Sequence, residues 1–173
     1  MDLLCYRCGR DTHTGDECYE FKHVNDYGLH FDRCPMLIYK ARSIVLSTQT
    51  SENIMNNVIH AKNISEEEII IIREVMKMKS SEIIEICYLK EKSNEIFLII
   101  TNLRILWYDY SPTIAEIYFN DIKLSVYSQT SNMPSVICLL NDRRKIPIYV
   151  YNFTLCEHLT KYISDKLLKI KVN

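Results

Sequence analysis

Beyond residue 80 the apolar positions fall in short runs separated by turn-forming residues, the pattern of β-strands joined by tight connections. The runs lie at 82–89, 95–101, 103–110, 114–119, 122–128, 135–140 and 146–151. Lys92-Ser93-Asn94, Asn102, Ser111-Pro112, Asn120-Asp121, Thr130-Ser131-Asn132 and Asn141-Asp142 separate them. Seven strands are expected. The period then changes. Leu155, Leu159, Tyr162, Ile163, Leu167 and Ile170 recur at helical spacing, with Lys161, Lys166 and Lys169 on the other side. An amphipathic helix is expected over 152–169. Ahead of the strands, Ser65-Glu66-Glu67-Glu68 has capping-box form, which predicts a helix over about 65–76. The four isoleucines at 69–72 pull the other way, because β-branched side chains favour strand.

These patterns divide the 173 residues into three regions. Residues 1–40 are rich in Cys, His and aromatics. Residues 41–64 contain the polar stretch Ser47 to Asn53 and are expected to be a connector. Residues 65–173 are expected to form the main domain. With 47% hydrophobic residues the chain can bury a sizeable core. Its net charge of −1 argues against binding nucleic acid or anionic membrane through bulk charge. No apolar run approaches a membrane span, and no signal-peptide pattern follows Met1. The seven cysteines are odd in number and clustered, which suits a reducing intracellular compartment. Cys87, Cys138 and Cys156 sit in apolar stretches and are expected to be buried free thiols. Glycine occurs only at 9, 15 and 28, so phosphate-cradling glycine loops are excluded beyond residue 28. Turns there must use Asn, Asp and Ser.

The sharpest chemical motif is at the front: Cys5, Cys8, His13 and Cys18, spaced C-x2-C-x4-H-x4-C. Three thiolates and one imidazole complete a tetrahedral shell for a structural zinc ion and leave no open position for a catalytic water. Binding in such small modules supplies about 10–16 kcal/mol and doubles as folding energy. His23, His30 and Cys34 lie downstream, and Cys34 is a rival to His13 in the ligand set. The segment resembles the zinc knuckles of retroviral nucleocapsids and cellular RNA-binding proteins. Tyr6 stands where those knuckles place a base-stacking aromatic, and Thr12 stands where they usually carry glycine. Arg7 and Arg10 face Asp2, Asp11, Asp16, Glu17 and Glu20, so the segment is acidic. That charge opposes phosphate binding, and a structural or protein-docking knuckle is favoured over an RNA reader.

A second motif lies in the strands. Thr101-Asn102-Leu103-Arg104-Ile105-Leu106-Trp107, followed by Ile117-Tyr118-Phe119-Asn120-Asp121-Ile122, resembles the pleckstrin-homology-like repeats of the fifth BBSome (Bardet–Biedl) subunit. The resemblance spans about 70–170. That family carries two such repeats in tandem; this chain has room for one. Seven strands and one C-terminal helix also follow the order of a pleckstrin-homology-type barrel, whose helix plugs one open end. The resemblance implies a phosphoinositide- or protein-binding module and a ciliary setting. Read from the residues alone, Leu98, Ile100, Leu103, Ile105 and Trp107 supply an inward face, and Asn102 suits a tight turn. Trp107, the single tryptophan, is expected in the core.

Basic residues are the remaining binding candidates. Lys90, Lys92 and Arg104 lie near the first strands, where pleckstrin-homology domains often hold phosphoinositides. Arg143-Arg144-Lys145 is the better cluster, and could equally dock an acidic protein surface. Catalysis has little support, because His60 and His158 have no nucleophile at a recognisable spacing. The expectation is a non-enzymatic adaptor or scaffold in the cytoplasm or cilium, within a large BBSome-like or axonemal assembly. It would present an edge strand or the Arg143 loop to a partner. The alternatives are recruitment to a phosphoinositide membrane and single-stranded RNA binding through Tyr6.

Overall fold

The alternating and continuous apolar runs become strands, and the helical spacings become helices. In a computed structural model the chain is described at residues 38–40, 44–46, 57–90, 93–108, 113–128 and 133–172. The order is β1 (Ile38–Lys40), β2 (Val58–His60), α1 (Glu66–Val75), β3 (Ile84–Leu89), β4 (Ile96–Thr101), β5 (Arg104–Tyr108), β6 (Thr113–Tyr118), β7 (Ile122–Ser128), β8 (Ser135–Leu140), β9 (Lys145–Tyr149) and α2 (Phe153–Val172). A six-stranded antiparallel sheet has the order β1-β6-β5-β4-β3-β2, and a three-stranded one the order β7-β8-β9.

The protein is therefore mostly β, as expected, with the seven expected strands present as β3–β9. They do not close into a barrel. Among the described residues no ladder joins β6 to β7 or β9 to β3, and the two sheets stay separate. The larger sheet also takes in β1 and β2, which fall in the stretches assigned from sequence to the N-terminal module and the connector. Ile44 and Leu46 add to it, with backbone bonds to Ile96 and Asn94 at 2.9 Å each.

The larger sheet is buried on both faces. Along β3, Ile86 and Tyr88 face one core while Ile84, Cys87 and Leu89 face another. The first core lies between the two sheets and is completed by Leu155, Cys156, Leu159, Ile163 and Leu167 of α2. The second is covered by Ile44, Leu46, Ile59, Ile64, Ile72 and Met76. This explains why β4 reads as an unbroken apolar run: every residue in it is buried. Each of its five apolar side chains contributes roughly 1.5–3 kcal/mol on burial.

α1 begins as its sequence predicts. Ser65 Oγ accepts from the Glu68 N–H at 3.2 Å, which makes it the N-cap, and donates to Glu68 Oε2 at 3.1 Å. The cap and the acidic first turn outweigh the strand preference of the isoleucines. The helix ends in a Schellman motif, with Met78 N–H bonded to Arg73 O at 3.0 Å and Lys77 N–H to Glu74 O at 3.2 Å. α2 is latched to β3 by polar side chains. Tyr162 Oη and Lys166 Nζ donate to the two Glu85 oxygens at 2.5 Å each, and Tyr88 Oη lies 2.8 Å from His158 Nδ1.

The scarcity of glycine leaves a mark. Among the described residues Asn57, Lys77 and Arg143 have positive φ, at 61°, 49° and 73°. Only Asn57 is the residue type expected to tolerate it. Arg143 closes the β8–β9 hairpin, with its N–H on Leu140 O at 3.0 Å and the Leu140 N–H on Arg144 O at 2.8 Å. That is a turn plus a bulge residue in the left-handed region, a place normally given to glycine. Replacing Arg143 by Gly is expected to raise stability by roughly 0.5–1 kcal/mol in urea denaturation. Unchanged or lower stability would contradict the left-handed assignment.

Candidate functional site

The Thr101–Trp107 motif is first of all structural. Arg104 was expected to be a surface cation, and that expectation is corrected: the residue is 1% exposed. Its side chain lies on the face of the larger sheet shared with Leu106 and turned toward the second core. Nε donates to Glu82 Oε1 at 2.7 Å and Nη2 to Glu82 Oε2 at 2.9 Å, a bidentate pair. Nη1 is paired with Glu116, which is fully buried on β6. The guanidinium also lies 5.8 Å from the Tyr118 ring centre, and Lys79 Nζ lies 5.1 Å from the same ring. Such a group cannot reach a membrane or a partner.

The other polar residues of the motif serve the same arrangement. Thr101 Oγ1 accepts from the N–H groups of Leu103 and Arg104 at 3.1 and 3.0 Å and donates to Glu82 Oε1 at 2.8 Å. Asn102 is not in the left-handed region. Its Oδ1 instead accepts from the Ile83 N–H at 2.7 Å, and its own N–H bonds Ile83 O at 2.9 Å. Arg73 of α1 gathers the carbonyls of the approaching loop, at Lys79 O (2.7 Å), Ser80 O (3.3 Å) and Glu82 O. Burial alone would raise the Glu82 carboxyl. Hydrogen bonds from Arg104 and Thr101, the Arg104 charge and the Lys79 N–H outweigh it and hold the group below its ordinary range. Sequence reasoning passed over Glu82 and Glu116. The available signal was an acid at 116 inside an apolar strand, which demands a buried cation.

Arg143, Arg144 and Lys145 lie together at the β8–β9 turn, but they are not equivalent. Arg143 and Lys145 are exposed. Arg144 is tied back to Asp142, with Nε on Oδ2 at 2.7 Å and the backbone N–H on Oδ1 at 3.2 Å. Asp121 is carried to the same end by the bond from Asn141 N–H to Asp121 O at 3.0 Å. The turn therefore carries less free positive charge than its sequence suggests. Lys90 is likewise paired, with Glu95 at 2.7 Å.

A cleft that the sequence did not announce lies at one end of the two sheets. It is about 290 Å³ in volume and lined by Lys90, Phe97, Trp107, Tyr108, Met133 and the 149–151 segment. Trp107, as expected, is part of the core, at 3% exposed. Phe97 is as deeply buried, and both side chains line the cleft. Tyr151, 45% exposed, stands at 88° to Phe97 with ring centres 4.9 Å apart. Burial, with the Glu95 charge behind it, pushes the Tyr108 hydroxyl up to about 12. These residues come from five different strand ends and loops, which is why no local motif marks them.

Cys87, Cys138 and Cys156 are buried free thiols, as expected. Burial pushes the first two up to about 12, and burial with Glu157 nearby pushes Cys156 up to about 11, so none is a ready thiolate. His158 is engaged with Tyr88, and burial lowers it, helped by His60 and Lys161. The candidate zinc ligands Cys5, Cys8, His13 and Cys18, with Tyr6, His23, His30 and Cys34, lie outside the described residues. Among the described residues no helix is long and apolar enough to cross a membrane.

Comparison of the chain with models of protein families, with curated proteins and with solved structures found no match.

The depressed Glu82 carboxyl has a consequence for acid stability. Its native value lies below the ordinary 4.5, so the stabilisation is complete above that value and is lost as pH falls through the lower native one. Glu82→Gln is expected to cost on the order of 3 kcal/mol at neutral pH. The deficit relative to the parent chain should shrink in melts taken down to about pH 3. A deficit that stays constant across that range would show that folding does not lower the Glu82 carboxyl below its ordinary range.

Proposed function

We propose that the chain is a non-enzymatic adaptor whose pleckstrin-homology-like domain docks protein segments, with the Cys5, Cys8, His13 and Cys18 knuckle as a structural zinc module. The domain assignment is supported by strand order. A four-strand meander, β3 to β6, is followed by a three-strand meander, β7 to β9, and a helix that packs between the sheets. The resemblance of Thr101 to Trp107 points the same way and makes a ciliary assembly the setting to test first.

The observation that carries docking is the aromatic cleft. Rings of Phe97, Trp107 and Tyr151 with Met133 beside them suit an apolar side chain of a partner. Lys90, the cation lining the cleft, is paired with Glu95, which suits an uncharged group better than a phosphate. Phosphoinositide recruitment is supported only by the exposed Arg143 and Lys145.

Neighbours co-purified with the intact chain test this reading. Tyr151→Ala with Met133→Ala is expected to release them while the chain stays folded, with the melting temperature lowered by only a few degrees, since the two side chains are 45% and 43% exposed. Retention by that variant would remove the cleft from the account. Sedimentation with phosphoinositide vesicles, abolished by alanine at Arg143, Arg144 and Lys145, would replace docking by membrane recruitment. For the knuckle, one equivalent of zinc is expected in the purified chain, reduced at least tenfold by Cys5→Ser with Cys8→Ser. Full zinc in that variant would place the metal elsewhere.

A further inference from the structure

Two surfaces on opposite sides of the molecule carry apolar side chains where polar ones are the rule. An antiparallel sheet with one face in the core normally turns a polar face to water. In the small sheet Val136, Cys138, Ile146 and Ile148 belong to the core between the sheets. The alternate positions point outward, and pairing sets them in two rows: Leu124, Leu139 and Lys145, then Val126, Ile137 and Pro147. Leu124 is 39% and Val126 49% exposed, while Ile137, Leu139 and Pro147 are half-buried. Lys145, the charged member of these rows, is exposed.

α1 carries the second surface. Its inner side places Ile72 in the core on the far side of the larger sheet. Its outer side sets Glu66, Ile70 and Glu74 along one ridge and Glu67 and Ile71 along the next, at four-residue spacing. All five are exposed, Ile70 at 64% and Ile71 at 51%. A surface helix turns a polar side to water, so two isoleucines in the middle of that side are not explained by the packing of the monomer. The small sheet lies against one face of the larger sheet and α1 against the other. The two apolar surfaces therefore look away from each other.

They match in shape and in charge. Three strands span about 10 Å, the width of one helix. The ten residues of α1 extend about 15 Å, within the length of β7 and β8. Lys123, Arg143 and Lys145 are exposed at the end of the small sheet where β7 starts and the β8–β9 turn closes. Asp142 is paired there with Arg144, and Asp121 is half-buried, so the balance at that end is positive. The outer side of α1 is negative: Glu66, Glu67 and Glu74 stand on it, and Arg73 is turned away to the carbonyls of Lys79 and Ser80. We infer that the outer side of α1 in one copy of this chain docks on the outer face of the small sheet in another. Ile70 and Ile71 seat among Leu124, Val126, Ile137 and Leu139, and Glu66 and Glu67 lie toward Lys123, Arg143 and Lys145. The two halves of this contact are different surfaces on opposite sides of the monomer, so each copy can hold a neighbour on either side and the product is an open head-to-tail chain. Five side chains of α1 are few beside the roughly 20–30 residues a side of a stable interface, so the association is weak and driven by concentration. It uses neither the aromatic cleft nor the zinc module.

Sedimentation equilibrium of the full chain, with its thiols kept reduced, tests this. The average mass is expected to rise with concentration up to about 1 mM without levelling at the dimer. Raising the salt from about 0.05 to about 0.5 M should weaken the association at least about tenfold. Val126→Glu on the sheet and Ile71→Arg on α1 are each expected to weaken it at least about tenfold. Mixed together, these two variants should form a one-to-one pair and stop there, because each keeps the surface that the other has lost. Pairing also shows that both variants are folded. A chain that stays monomeric at about 1 mM would overturn the proposal, as would two variants that circular dichroism shows to be folded but that do not pair. A dimer lost in Val126→Glu and kept in Ile71→Arg would make the sheet face a symmetric contact with its own copy and overturn the docking of α1. Binding of anionic vesicles by a monomeric chain, lost in Val126→Glu, would overturn it by assigning that face to lipid. Self-association lost in Tyr151→Ala with Met133→Ala would overturn it by moving the contact to the cleft, whereas self-association kept in that variant supports a contact separate from the cleft.

Discussion

A buried guanidinium governs this structure. Arg104 lies on the larger sheet between two buried carboxylates, Glu82 and Glu116, and has no route to water. Removing an ion from water carries a penalty of several kcal/mol, so the site holds only if every partner is in place. The fold is arranged around that requirement. Arg73 of α1 draws in the loop that presents Glu82, and Thr101 fixes the hairpin that presents Arg104. β6 delivers Glu116, and Tyr118 covers the guanidinium. Helix, loop, hairpin and strand are committed to one register, because a shift by one residue would move Arg104 to the opposite face.

That commitment leaves the larger sheet little surface. One face meets α2 and the small sheet, the other α1 and the segment around Ile44 and Ile59. Surfaces able to meet a partner are displaced to the margins. They are the aromatic cleft where strand ends converge and, among the described residues, the outer face of the small sheet, where Leu124 and Val126 are exposed. The thiols are held as thiols by burial, and the histidine on α2 is used as a latch.

Local patterns carried much of the architecture. β7 and β8 have the bounds that their sequence predicts, Ser65 caps α1, and Leu155, Leu159, Ile163 and Leu167 of the apolar spacing of α2 become its buried stripe, while Ile170 is exposed. What escaped depends on distant partners. β1 and β2 are three residues each, too short to carry a period, and exist because β6 and β3 offer them edges. Arg104 reads as a surface cation until Glu82 and Glu116 are seen beside it. Arg143 takes a conformation that its residue type disfavours, because the hairpin needs it and glycine is missing. The cleft and the outward apolar rows become visible only once strand register is known.

The claim that the Thr101–Trp107 motif exists to hold a buried charge network is tested most directly by a double-mutant cycle on Arg104 and Glu82, read by urea denaturation at neutral pH. Arg104→Leu alone is expected to cost about 3–5 kcal/mol, because it strands two buried carboxylates. Glu82→Leu added to Arg104→Leu should cost much less than the sum of the single changes, with a coupling of at least about 2 kcal/mol. Additive losses, or a loss below about 1 kcal/mol for Arg104→Leu, would mean that the guanidinium is solvated and that the motif does something else.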